Sequence, residues 1–124
     1  MRAIKFRGLT IKDSTWVYGC LVYSECNAPF SKSVDYAEII TPNADSIEVW
    51  VATIGQFTGL QDVDGKDIYE GDVVMPTKFK DKPNDVEYIS NGFYRTTQHN
   101  GKTYVNPLGS CEVKVIGDAY TDIY

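Results

Sequence analysis

Five carboxylates crowd one short stretch: Asp62, Asp64, Asp67, Glu70 and Asp72. Grouped acids can hold a divalent cation or share a proton in acid–base work. The spacing favours neither. Asp62, Asp64 and Gly65 lack the ligand spacing of a calcium loop and the glutamate that closes it. Asp64-Gly65 and Glu70-Gly71-Asp72 read more simply as turns, because glycine supplies the positive φ of a tight reversal. Gly65 and Gly71 are therefore expected in turns linking antiparallel strands, with Ile68, Tyr69 and Val73 as the buried neighbours.

The other reactive side chains are sparse. His99 is the single histidine and stands beside Asn100-Gly101, a hairpin signature. A catalytic histidine needs a nucleophile and an orienting group. Ser110 and Cys111 are the nearest hydroxyl and thiol downstream, and sequence distance alone does not join them to it. Cys20, Cys26 and Cys111 are an odd number of thiols. A zinc site would need all three and His99 from separate segments, whereas closed zinc sites come as paired local spacings. Free thiols in a reducing compartment are expected, with no metal. Glycine-rich phosphate loops and the H-E-x-x-H and G-x-S-x-G motifs are missing. No catalytic residue and no cofactor is expected, so the chain reads as a non-enzyme.

Two features suit binding. Lys78, Lys80 and Lys82 alternate, with Phe79 among them. On a strand they would form one basic edge that meets phosphates, with an aromatic to stack on a base. Solvated loop lysines, or lysines that guard an edge, explain them as simply. Trp50, between Val49 and Val51, fits an interface anchor or a core position equally.

The elements that must position these residues read as strands. Ile4 and Phe6 alternate with Lys5 and Arg7, the period of a half-buried strand. Thr15–Tyr23 is apolar on both faces and predicts a central strand, with Gly19 at a bulge or a close backbone approach. Lys12-Asp13-Ser14 makes the hairpin loop before it. Residues 24–36 read as a loop. Ala37–Ile40 and Ile47–Val51 flank the turn cluster Thr41–Asp45. After Ala52–Leu60 and the acidic turns, Pro76–Asp85 looks like an exposed loop. Val86–Ile89, Phe93–Gln98, Lys102–Val105 and Cys111–Ile116 follow, the first three separated by Asn91-Gly92 and Asn100-Gly101. No long amphipathic helix pattern exists. The fold class is mainly β, a small SH3-like barrel or sandwich core with added β-hairpins and little helix. It is expected as one domain over 1–124, with an N-terminal β-subdomain 1–52 and a barrel-like part 53–124.

The 124 residues carry a formal charge of −5, unevenly spread. Residues 1–33 hold five basic and two acidic side chains; residues 34–74 hold Lys66 against nine acids; residues 75–124 hold six of each. An acidic chain repels nucleic acid as a whole, which lowers the expectation of generic DNA binding. The opposed first and second blocks suggest that they meet, within the chain or between copies. No apolar run approaches the ~20 residues of a membrane helix. Met1–Leu9 lacks the apolar stretch of a signal peptide, so a cytoplasmic protein is expected.

Three segments together resemble one family. Ile4-Lys5-Phe6-Arg7 followed by Trp16-Val17-Tyr18-Gly19 looks like the opening of YopX-type phage proteins. The run Ile54–Asp62 with Gly65–Val74 is similar to that family's G-Q-[FY]-T-G-L-x-D and G-K-x-I-[YF]-E-G-D-x-V block. Glu112–Tyr120 looks like its E-V-I-G-[ND]-x-Y close. The resemblance implies a small phage or prophage protein, cytoplasmic in the bacterial host, with no catalytic residues to carry over. The expected function is a non-enzymatic accessory module that assembles with itself or binds a host or phage protein. The alternative is a small nucleic-acid-binding barrel in phage replication or regulation. The candidate interaction residues are Trp50, Lys78, Phe79, Lys80 and Lys82.

Overall fold

The computed structural model describes residues 4–22, 36–78 and 82–123. Eleven strands account for most of them, with two single 3-10 turns at Val51–Thr53 and Leu108–Ser110. The fold is mainly β and every strand pairing is antiparallel. The chain divides into two compact units, one up to Gln56 and one over Phe57–Ile123.

In the first unit, β1 (Phe6–Leu9), β2 (Trp16–Val22), β3 (Tyr36–Ile40) and β4 (Ser46–Trp50) form successive antiparallel neighbours, and the start of β5 (Gly55–Gln61) returns to β1. A bridge between Thr10 and Val49 joins the end of β1 to β4 and curls the sheet. Leu9, Ala37, Ile39 and Val49 fill the inside. The 3-10 turn is locked by Thr53, whose hydroxyl donates to the Trp50 carbonyl at 2.7 Å and accepts from the Leu9 amide at 3.0 Å. The strand β2 is central, as its composition suggests, yet only partly covered. Tyr18, Cys20 and Val22 on one of its faces are exposed. Two residues of the opening motifs meet here: the Arg7 guanidinium stands 4.0 Å over the Trp16 ring, a cation–π contact.

In the second unit, the end of β5 pairs with β6 (Asp67–Tyr69), and the Phe57 and Tyr69 rings lie 5.6 Å apart. A separate five-stranded sheet runs β10 (Lys102–Pro107), β9 (Gly92–His99), β8 (Asn84–Ile89), β7 (Asp72–Pro76), β11 (Val113–Asp118). Ile68, Val74, Val86, Leu108 and Val113 make its core.

Gly65 and Gly71 both have positive φ, 81° and 92°. Gly65 turns β5 into β6 as expected. Gly71 does not join paired strands: it carries the chain from β6, which pairs with β5, to β7, which pairs with β8 and β11. Its amide donates to the Val86 carbonyl and its own carbonyl accepts from Ala119. A Cβ there would meet the Tyr120 ring at 2.7 Å, so the glycine of one family block and the tyrosine of another touch. Ile68 and Tyr69 are buried, but Val73 is only half-buried. The period of two in β7 turns Asp72, Val74 and Pro76 inward instead. Pro76 and Asn84 are likewise buried strand ends rather than parts of an exposed loop.

The two C-terminal hairpins differ in how well residues suit their turns. Asn100 and Gly101 sit at φ 51° and 75° between paired His99 and Lys102. In the other, Ile89 pairs with Gly92, so the loop is Ser90-Asn91, at φ 46° and 71°. Serine bears the left-handed strain one position before the asparagine. Replacing the pair by Asn-Gly (S90N with N91G) should stabilise the protein by about 1 kcal/mol, read by chemical denaturation followed by circular dichroism.

Candidate functional site

The inward face of β9 changes character along its length. Phe93 packs against the core, and Arg95, two residues on, stands at the core's border. His99 continues the same side. Pairing sets Arg95 opposite Val86 on β8 and Asn106 on β10, and sets Tyr104 opposite Thr97. This part of the face is open. It forms a cleft of about 670 Å³ lined by Pro76, Lys82, Asn84, Arg95, His99, Tyr104 and Asn106.

Arg95 is 9% exposed. Its Nη2 donates to the Ser110 hydroxyl at 3.1 Å, which itself donates to the Pro107 carbonyl. Its buried Nε has no acceptor. No carboxylate pairs with Arg95 or Lys82 among the described residues. Lys82 Nζ donates to the Gln98 carbonyl at 3.1 Å and lies 3.0 Å from His99 Nδ1. An ammonium has no lone pair, so Nδ1 is the acceptor and the proton of a neutral His99 sits on Nε2. Asn84 Nδ2 donates to the Lys82 carbonyl and holds that lysine's backbone at the cleft mouth.

The opposite face of the same strands is acidic. Asp85 and Glu87 lie there, and Glu87 accepts the Thr96 hydroxyl at 2.6 Å. Burial, with the Glu87 charge beside it, pushes the Asp85 carboxyl above its ordinary range. On β8 and β9, Arg95 thus stands on the cleft side and Asp85 and Glu87 on the other, with Lys82 lining both.

The acidic stretch serves the backbone. Asp62 Oδ1 accepts from the Asp64 and Lys66 amides, both at 2.9 Å, and its Oδ2 accepts from Val115 at 3.0 Å. Burial alone would raise its carboxyl; the three amide donors of Val115, Lys66 and Asp64 bring it below the ordinary range. Asp72 accepts from the Tyr69 amide. Asp64 meets Lys114 at 3.7 Å in the open, where a pair contributes little. Among the described residues no three His, Cys, Asp or Glu side chains gather to hold a metal ion.

Of the interaction candidates, Lys82 lies in the cleft. Lys78 is exposed at the end of the segment after β7. Phe79 and Lys80 lie outside the described residues, so the alternation of the three lysines is not placed. Trp50 ends β4 half-buried, its carbonyl taken by Thr53. Cys20 and Cys111 are free thiols, and Cys26 lies outside the described residues. Ser110 belongs to Arg95 rather than to His99. The sequence reading missed Arg95, Asn84, Tyr104 and Asn106. The available signal was parity: Arg95 shares the side of Phe93 in an alternating strand, so a charge falls on the inward face.

A two-unit, mainly antiparallel β protein with a cleft on one sheet face is the class that these features define. The family model of the YopX protein matches residues 5–122, and the chain belongs to the YopX family. No curated protein matches the sequence. Among solved structures, the crystal structure of protein EF1440 from Enterococcus faecalis is similar, at 19% identity and a TM-score of 0.41, over 95% of this chain and 94% of that one. Among the described residues no helix is long and apolar enough to cross a membrane.

Proposed function

We propose that the chain is a non-enzymatic phage or prophage accessory module, working in the host cytoplasm, that assembles with a second copy of itself. The observation that carries this reading is the outer edge of β10. The other edge of the same sheet is occupied: Val63 donates to the Val113 carbonyl, the Asp62 carboxylate takes the Val115 amide, and a bulge interrupts β11 between Val115 and Gly117. The strand β10 runs in unbroken register with β9 from Lys102 to Pro107, and all six of its residues are exposed. Among the described residues nothing bonds its outer side from Lys102 to Asn106. A regular edge whose outward groups lie open between the terminal Lys102 and Pro107 is a template for another strand.

The two-residue turn sets which groups face outward. His99 and Lys102 flank it as a bonded pair, so Thr103 and Val105 direct their amides away from β9. A two-fold axis at Tyr104 would set Thr103 of one copy against Val105 of the other and place no like charges opposite each other. A non-enzymatic role is supported by what occupies the reactive groups. His99 faces Lys82, Ser110 faces Arg95 and Asp62 faces three amides.

Light scattering at micromolar concentration and physiological salt should give twice the single-chain mass. Val105→Pro removes an outward amide without touching a β9 bond, as prolines on edge strands do. It should return the protein to a monomer with its circular dichroism unchanged. A wild-type mass that stays at one chain as concentration rises overturns the proposal.

A further inference from the structure

We infer that the cleft of Lys82, Arg95, His99, Tyr104 and Asn106 binds the phosphate of a nucleotide. Arg95 is nine-tenths buried as a residue; its Nη2 donates to one neutral hydroxyl, and its buried Nε has no acceptor among the described residues. A buried cation without a counter-charge is costly, and an oxyanion arriving from outside offsets that cost. Lys82 adds a second cation at the same cleft, with no carboxylate paired to it among the described residues, and His99 Nε2–H adds a donor. The acceptor they call for is an oxyanion. Arginine's planar fork suits phosphate in particular.

The rest of the lining argues for more than a bare ion. The cleft's volume falls in the range of small-molecule sites, about 300–1,000 Å³, well above what one phosphate fills. Tyr104 is 46% exposed and offers a ring face on which a base stacks. Asn106, exposed in the lining, offers an amide donor and acceptor of the kind that reads a base or sugar edge. On the opposite face Lys82 also borders Asp85 and Glu87, whose charges disfavour the same ligand there. All of its lining side chains come from one copy, whereas the β10 edge pairing uses backbone groups of Thr103 and Val105 and sets the two Tyr104 side chains side by side.

The test uses the full chain with two probes, thymidine monophosphate and a short single-stranded oligodeoxythymidylate, titrated by calorimetry and by fluorescence polarisation. Thymidine without phosphate is the blank and should not bind. Arg95→Met and Lys82→Ala should each weaken binding by about tenfold or more, the usual loss for a charge-assisted contact. Lys114→Ala, an exposed cation outside the cleft, should leave it unchanged. Should Arg95→Met fail to fold, Lys82→Ala at its exposed position reads the same site. Equal affinity for the two probes supports the free nucleotide as ligand; clearly tighter, salt-sensitive binding of the strand supports the nucleotide within a nucleic acid. Binding of neither probe, binding of thymidine as tight as of its phosphate, or an equal loss with Lys114→Ala overturns the inference. Val105→Pro should bind the probes as wild type does, which separates this outcome from the fate of the assembly proposal.

Discussion

Gly19→Ala should abolish the fold of the first unit. Gly19 lies in β2, and Cys20 beside it pairs with Ile40 of β3. A Cβ at Gly19 would stand 2.0 Å from the Ile40 carbonyl oxygen and 2.8 Å from its carbon. Both obstacles are backbone, so no side chain can swing away; β2 and β3 must part. Overpacking by one methylene against movable side chains costs about 1–3 kcal/mol, and a backbone collision belongs at or beyond the top of that range. The loss expected is about 3 kcal/mol or more. Trp16 and Trp50 are the chain's two tryptophans, and both lie in the first unit. Tryptophan fluorescence therefore reports that unit's unfolding, while circular dichroism follows both units. Gly117→Ala is the control, because nothing lies within 4 Å of a Cβ there and no positive φ is needed. A Gly19→Ala protein with a wild-type fluorescence transition would show that the close approach is absent.

That approach was legible in the sequence as a glycine inside an otherwise bulky, β-branched strand. The hairpins were legible for a similar reason: Asp64-Gly65 and Asn100-Gly101 are local chemistry, and a turn obeys its own residues before it obeys the rest of the chain. Where two local signals competed, the finer reading slipped. Gly71 carries the same φ signal as Gly65, yet it passes the chain between pairings instead of closing a hairpin. Which strands flank a turn is a non-local fact. Val73 and Val74 are adjacent and chemically alike, so only the register of β7 decides which is inside. The register is set by Asp72, whose carboxylate turns inward to hold the Tyr69 amide.

The cleft was less legible because its residues come from four strands and a loop. Lys82 stood out as one of three alternating lysines. Its actual neighbours, Gln98 and His99, are sixteen and seventeen positions away. Arg95 gave no composition signal, being one basic residue in a block of six basic and six acidic side chains. Its meaning comes from parity with Phe93 and from the openness of the sheet beyond the core. A balanced block charge conceals strands whose Arg95 and whose Asp85 and Glu87 lie on opposite faces, since successive strand residues point to opposite sides.

Asp62→Ala should cost about 3 kcal/mol, because three amide donors lose their acceptor at once. Asp62 is 8% exposed, and its carboxylate spans two levels of structure. With Oδ1 it closes the β5–β6 turn on Asp64 and Lys66; with Oδ2 it ties that turn to β11 at Val115. Asp62→Asn keeps the shape but turns an amide donor toward one of those N–H groups, so it should lose less, about 1–2 kcal/mol. The pH dependence separates charge from packing. The folded carboxyl titrates below its unfolded value of about 3.9, so its contribution is fully present above that value. It is lost as pH falls through the lower, folded value, where the unfolded chain already holds the proton. Wild type should therefore lose stability on acidification over this window, and Asp62→Asn should lose less of it. The two stability curves should converge toward the acid end, followed by denaturant titration at a series of pH values. Parallel curves would place the carboxylate's role in shape alone and leave the amide bonds to be carried by a neutral acceptor as well as by a charged one.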